Sequence, residues 1–416
     1  MHDLIQKKLE ERKSPIDIIV TGLGFMGFGF LSSIRNVPGL RVPLILTRTP
    51  DRAKQFLDAE GLPSEIEHNP SRIHDLANRG ILSLSDDLSL IQSYESEVVL
   101  EVTGTVAYGA DVSMRTLNAK KHLVTMNPEL QVTVGAALKK LADQKHVVFT
   151  DVVGDQPGSL SQMIAHARLM GFRVLMAGNM KRFLNRYATQ KEMQPWATDK
   201  GLAVRQTVSF TDGTKQSIEM TLVSNYFGMN ILTPGMQGPQ AETVQEALTS
   251  FPWDNVPKEG VVDYLLGKSL FPGVFLVVEH VDPHQQKYLR YLGLGDGPRY
   301  VLFDPYHLCH LEVGGTIAKA VLFSQETIHN TTNPTMSTVT LAKKDLARGT
   351  VLEGIGGDTV YGTIDRISTD ETRLPVGLSE GAILTRPVRK DEAIHTSDVT
   401  VKSTPATILA GLATEK

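Results

Sequence analysis

The chain of 416 residues has a single cysteine, Cys309. One thiol excludes an intrachain disulfide framework and suits a reducing compartment. Charge of one sign is also missing: 42 Lys and Arg stand against 46 Asp and Glu, a formal net charge of −4, so the total implies no polyanion-binding surface and no nucleic-acid partner. No apolar run approaches the roughly 18 residues that a membrane span needs. The opening residues, MHDLIQKKLEERKS, are charged and carry only a thin apolar stripe (Leu4, Ile5, Leu9), unlike a secretory leader. Internal repeats and low-complexity tracts are absent as well. What remains is a cytoplasmic globular protein, ordinary in its hydrophobic and charged content and long enough for two or three domains.

Against these absences stands one informative stretch. Ile16 to Val20 is an apolar run that reads as a buried parallel strand, followed at once by Gly22-Leu23-Gly24-Phe25-Met26-Gly27 and then a helical segment from Phe28. Strand, G-x-G-x-x-G and helix in that order form the dinucleotide fingerprint. Gly22 permits the tight turn, Gly24 lets the backbone approach a pyrophosphate, and Gly27 lets helix and strand pack closely. Unpaired N–H groups at the helix start favour the anion. The cofactor contacts expected here are Gly22, Gly24, Phe25, Met26 and Gly27. The next strand, Leu40 to Thr47, ends about 20 residues after Gly27, where the ribose-reading residue belongs. Thr47-Arg48-Thr49 stands there in place of a carboxylate, with Arg52 close behind. An arginine pairs with a 2′-phosphate that a carboxylate would repel, so NADP(H) is favoured over NAD(H). The bland alternative makes Arg48 and Arg52 solvated surface residues.

Further on, Val98 to Thr103 reads as a strand ending at Gly104, which puts Thr103 and Gly104 beside the nicotinamide side of a cofactor. A helix over 106–119 and a strand over 122–126 follow. Asn127 and Glu129 then lie at a strand's carboxyl end, where open α/β sheets bind ligands. Helix 133–144 and strand 146–150 complete a doubly wound parallel sheet, residues 1–150. The composition changes at the polar loop Asp151–Gly158, which carries Asp155 and Gln156. After helix 160–170 and strand 172–177, the segment 178–181 exits with Asn179 and Lys181. Val204–Phe210 alternates and reads as a strand delivering Thr211 to Lys215. Ser217–Tyr226 reads as a helix bearing Glu219 and Asn225. His307, His310 and Glu312 precede a helical run to about Phe323. A linker near Thr331 leads to short β-like pieces over 337–402, and 403–416 read as a loosely ordered tail.

Taken together, GLGFMGFG (22–29), EVTG (101–104), GDQPG (154–158), GNMK (178–181), FTDGTK (210–215), GDGP (295–298), PYHLCHLE (305–312), AKKDLARGTVLEGIGG (342–357) and LPVGLSEGA (374–382) resemble the homoserine-dehydrogenase-like oxidoreductases with a C-terminal SAF domain. The resemblance covers most of the chain. It implies an α/β fold in three parts: a Rossmann domain (1–150), a central α+β substrate and catalytic domain (151–330) whose last helix is able to return to the first, and a small β-rich SAF-like domain (337–402). One branch of that family acts as a 1-deoxy-D-xylulose 5-phosphate reductoisomerase-like enzyme and other members carry only the dehydrogenase-like label. The resemblance therefore implies NAD(P)H chemistry on a small oxygenated carbonyl or alcohol without naming it.

Carbonyl reduction needs a hydride donor, a proton donor and something to stabilise the alkoxide. Lys181 and Lys215 are the candidate electrophiles or proton donors, with Asp212 orienting one of them; the plain alternative for Asp212-Gly213 is a turn. Glu129, Asp155, Gln156, Asn179, Glu219, Asn225 and His307 are the candidate substrate contacts. The H-x-x-H-x-E spacing at 307–312 is not that of a helical zinc site, so no resident metal is assigned. Asp155 and Glu129 suit Mg²⁺ or Mn²⁺ if substrate oxygens share the site. A small-molecule substrate and a homo-oligomer are the expected partners. The rival reading is a non-catalytic nucleotide-binding sensor.

Overall fold

The computed structural model describes residues 2–368 and 372–413. Contacts divide the chain into two compact units, one of Met1–Asp155, Leu308–Thr332 and Thr404–Ala410, the other of Gln156–His307, Asn333–Ser403 and Gly411–Lys416. No helix among the described residues is long and apolar enough to cross a membrane.

The first unit is built on seven parallel strands: β1 (Ile16–Thr21), β2 (Leu40–Leu46), β3 (Ser64–Ile66), β4 (Leu82–Ser85), β5 (Val98–Glu101), β6 (His122–Thr125) and β7 (Phe149–Asp151). They lie in the order β3-β4-β2-β1-β5-β6-β7. Successive side chains of β1 point to opposite faces, and both faces are buried. Ile18 and Val20 join a core with Phe30, Val313 and Ile317, whereas Ile19 joins Leu44, Ile73, Val99 and Val112. The chain leaves β1 toward β2 on one side and returns as β5 on the other, so β1 ends at the topological switch point where such sheets bind ligands. The helix Cys309–Phe323 comes back to this unit and packs on the helix Phe25–Ile34. The described part of the tail departs from the loose segment expected. Thr404 makes a capping box with Thr407, Pro405 opens a short helix to Leu409, and that helix packs on Val106–Asn118 and Pro128–Lys145.

The second unit holds a mixed sheet of β8 (Arg173–Lys181), β9 (Val261–Leu266), β10 (Val274–Glu279) and β11 (Arg299–Asp304), ordered β11-β10-β8-β9. The helices Gln156–Leu169 and Thr214–Phe227 pack on it. Thr214–Phe227 has eleven buried residues and also touches the antiparallel pair β12 (Met336–Ala342) and β13 (Val360–Arg366), so it is enclosed on most sides. Val204–Thr211 is a helix, not the strand that its alternation suggested. Over its eight residues the apolar Val204, Val208 and Phe210 fit a period of two as well as a helical one. Gly178 to Lys181 is likewise no loop exit: it is the end of β8, paired with β9 through Lys181.

Candidate active site

In the first unit the glycine turn is built as its spacing requires. Gly22 has φ +99°, and a Cβ there would come 3.1 Å from the Val102 carbonyl oxygen and 3.2 Å from the Thr103 Cα. A Cβ on Gly27 would meet the Gly22 carbonyl oxygen at 2.6 Å, which is how the helix Phe25–Ile34 approaches the strand so closely. Gly24 differs: a Cβ there would meet nothing within 4 Å. No protein atom demands glycine at this place, but a backbone-hugging pyrophosphate would. Gly24 is also the N-cap of the helix, with no side-chain cap and no acidic residue in the first turn, so its leading N–H groups are left to an anion. Phe25 stands exposed beside it and Met26 is half-buried.

Around this turn lie the other loops at strand carboxyl ends. Thr47 is half-buried and its hydroxyl accepts from the Thr49 N–H at 3.4 Å. Arg48 is exposed, its guanidinium carbon 5.4 Å from the centre of the Tyr108 ring. Such stacking holds the fork while leaving its N–H groups for an anion. Thr103 is half-buried, and Gly104 (φ +64°) faces open space. Asn127 is fully buried and its amide is spent on the fold: Oδ1 accepts from the Leu130 N–H at 3.1 Å and Nδ2 donates to the Thr105 carbonyl at 3.2 Å. These bonds tie the start of the helix Pro128–Lys145 to the loop at Thr105. Glu129, half-buried in the first turn of Pro128–Lys145, and Asp155, 7% exposed, also belong to this unit.

In the second unit four of the expected substrate contacts come together. Asn179 on β8 donates to the Gln156 Oε1 at 2.7 Å and to the Glu219 Oε2 at 3.3 Å. Gln156 Nε2 lies 3.4 Å from His307 Nε2. Asn179 is fully buried, and its Oδ1 has no hydrogen-bond partner among the described residues. A buried acceptor left over in this way costs about 1–3 kcal/mol, and a ligand hydroxyl or amine would satisfy it. Lys181 follows Asn179 by two residues on β8, and Lys215 precedes Glu219 by four on Thr214–Phe227. A period of two on a strand and of about four on a helix keeps each lysine on the face of its network residue. Both lysines are half-buried.

Asp212 and Asn225 both tie stretches of chain together. The Asp212 carboxylate pairs with Lys343 at 2.8 Å and accepts from the Thr214 N–H at 2.9 Å. Burial pushes the Asp212 carboxyl up while the Lys343 ammonium pulls it back. Lys343 Nζ also donates to the carbonyls of Ala188 (2.9 Å) and Gly357 (2.8 Å), so the pair locks 188, 212 and 343–357 together. Asn225 is likewise a clasp. Its Oδ1 accepts from the N–H groups of Thr335 (3.0 Å) and Met336 (2.9 Å), and its Nδ2 donates to the Met336 carbonyl at 3.0 Å. Sequence reasoning missed Lys343, whose partner lies far away in the chain, and Glu101, whose burial at the end of β5 is visible in the sequence only as a carboxylate closing an apolar run. Among the described residues no group of three His, Cys, Asp or Glu side chains is assembled that could hold a metal ion.

Residues 154–313 match the family model described as the catalytic domain of oxidoreductase DRL. A homoserine dehydrogenase of Lactococcus lactis subsp. lactis (strain IL1403) is 20% identical over 249 residues, covering 56% of this chain and 54% of the relative. The chain thus spans about half the length of the curated relative it matches. Among solved structures, a probable dehydrogenase from Thermotoga maritima aligns over 75% of this chain and 90% of its own at 13% identity and a TM-score of 0.45. The 1-deoxy-D-xylulose 5-phosphate reductoisomerase from Zymomonas mobilis in complex with NADPH aligns over 76% and 82% at 13% identity and a TM-score of 0.38.

Proposed function

We propose that the chain is an NADP(H)-dependent oxidoreductase that interconverts a carbonyl and an alcohol on a small polar, anionic substrate. The observation that carries the reading is the buried Asn179–Gln156–Glu219 network, with a lysine placed on each of its two flanking elements, inside the segment that matches an oxidoreductase catalytic domain. The glycine turn at Gly22–Gly27 supports the cofactor, which when bound supplies the hydride. Arg48 at the end of β2, with no carboxylate beside it in Thr47-Arg48-Thr49, supports the 2′-phosphate. A homo-oligomeric, cytoplasmic protein and a SAF-like role for residues 337–402 in assembly or cleft closure belong to the same proposal.

In the reducing direction Asn179 Oδ1 accepts from a substrate hydroxyl or amine, while Glu219 and Gln156 hold the Asn179 amide in place. Lys215 or Lys181 would polarise the carbonyl oxygen and give it the proton that completes the alcohol. The lysine that does not donate binds the anionic end of the substrate. NADPH consumption against a panel of hydroxy-aldehydes and ketose phosphates tests this. Turnover with a member of the panel, lost in Lys215→Ala or Lys181→Ala, is the expected result. Tight NADPH binding with no turnover on any carbonyl would favour the sensor.

A further inference from the structure

Glu101 closes β5 in the first unit and is fully buried, yet among the described residues no ion pair holds it. Its neighbours across the sheet are the equally buried Thr21 on β1 and Thr125 on β6, both neutral. Burial pushes its carboxyl up, the hydrogen bonds from Thr103 and the Asn127 amide pull it down, and Glu129, of like charge, adds to the rise. The hydrogen bonds are one-sided. Oε1 accepts from both the Thr103 N–H, at 2.8 Å, and the Thr103 hydroxyl, whereas Oε2 has no partner among the described residues. The Asn127 amide closes the same cluster from the other side, donating to the Thr105 carbonyl at 3.2 Å. The helix Val106–Asn118 presses on it through Gly109, where a Cβ would lie 3.0 Å from Asn127 Nδ2 and 3.3 Å from Glu101 Oε1. A carboxyl carried into the core at this cost, with a backbone N–H and a hydroxyl of the same residue on one oxygen, holds the exit loop 103–105 in one conformation.

We propose that Glu101 is the positioning residue for the nicotinamide end of the cofactor and acts through Thr103. With the Thr103 O–H donated inward to Oε1, that oxygen can only accept; the Thr105 N–H and hydroxyl stand near it at 3.5 and 3.4 Å, contacts long enough for a ligand donor to displace. A hydroxyl that can only accept takes the –NH₂ of a carboxamide and refuses its C=O, so the loop fixes which way the nicotinamide amide is turned. Gly104, with φ +64° and open space where a side chain would be, lets the ring come close to the backbone there. This inference rests on the reading of the Gly22–Gly27 turn as a nicotinamide-cofactor site.

The test compares two ligands that differ at one end, NADPH and 2′-phospho-ADP-ribose, which has the adenine, both phosphate groups and the 2′-phosphate but no nicotinamide. Glu101→Ala and Thr103→Val should each weaken NADPH by about tenfold, the scale of one lost hydrogen bond to a buried partner, and leave the fragment within about twofold. Glu101→Gln keeps an acceptor oxygen in the place of Oε1 and should recover most of the NADPH affinity. Thr103→Val keeps Glu101 and the shape of the side chain, so it reports even if Glu101→Ala fails to fold. Equal losses for both ligands in Thr103→Val would overturn the proposal, because a residue that only supports the fold moves both. Unchanged NADPH affinity in Thr103→Val would overturn it too. Binding of neither ligand by the unaltered chain would remove the cofactor reading itself, and this inference with it.

Discussion

The two units treat a buried carboxylate in opposite ways. In the first unit Glu101 takes two hydrogen bonds from one threonine and, among the described residues, has no ion pair. In the second unit Asp212 meets the Lys343 ammonium at 2.8 Å, and that ammonium is shared with two backbone carbonyls. The first arrangement orders a loop. The second ties distant stretches of chain together with charge. The same contrast runs through the rest of each unit: backbone shape and helix-start N–H groups at Gly22–Gly27, but charged and amide side chains at Asn179, Gln156, Glu219, Lys181 and Lys215. Recognition of a cofactor by shape and chemistry by charge would then fail separately under mutation.

The sharpest way to break that separation is at the lysines. Of Lys215→Ala and Lys181→Ala, the one that removes the proton donor should lower kcat by ~10²–10⁴-fold, and both should leave NADPH affinity nearly unchanged, since neither lies in the unit of the Gly22–Gly27 turn. A lysine whose loss raises KM at constant kcat binds the substrate's anionic end. Next comes the charge lock. Lys343→Met leaves Asp212 buried without its cation and should cost about 3–5 kcal/mol of stability in a denaturant titration. The double change Asp212→Asn with Lys343→Met should recover much of it; a single variant as stable as the unaltered protein would show that the pair locks nothing. Arg48→Ala is smaller, a loss of about 1–3 kcal/mol with NADPH and little with NADH, read by parallel binding titrations.

The smallest effect is a pH dependence. Burial raises the Glu101 carboxyl above its unfolded value, so its protonated form favours the fold. That contribution is complete below the ordinary carboxylate range and is lost as pH rises through the raised value. Glu101→Gln cannot ionise. Its Tm relative to the unaltered chain should therefore improve as pH rises, and a difference independent of pH would mean that Glu101 does not change its charge in that range.

The first unit is the more legible of the two because its signals are local. The turn at 22–27, the apolar strand before it and the missing acid at 47–49 all lie within one strand–helix–strand stretch, and Gly22 and Gly27 stand where sterics demand them. The network of the second unit is made by distant partners. Glu219 is recognisable as a helix residue, but its meeting with Asn179, 40 positions earlier, is a tertiary fact. Asp212 followed by Gly213 reads equally as a turn, and nothing near it in sequence announces Lys343. Asn225 resembles a cleft residue until the backbone of 335–336 is seen against it. Val204–Thr211 was misread because a helix of eight residues shows too few turns for its period to separate from alternation. The helix at Pro405–Leu409 was missed because capping by Thr404 is a signal of one residue in a polar tail.

The most direct measurement is the rate of NADPH loss, set beside that of NADH, when the purified chain is given each hydroxy-aldehyde and ketose phosphate in turn. The account predicts faster loss with NADPH than with NADH on at least one of these carbonyls, and its abolition in Lys215→Ala or Lys181→Ala while NADPH still binds. Turnover that survives both substitutions, or no turnover on any carbonyl despite tight NADPH binding, would contradict it.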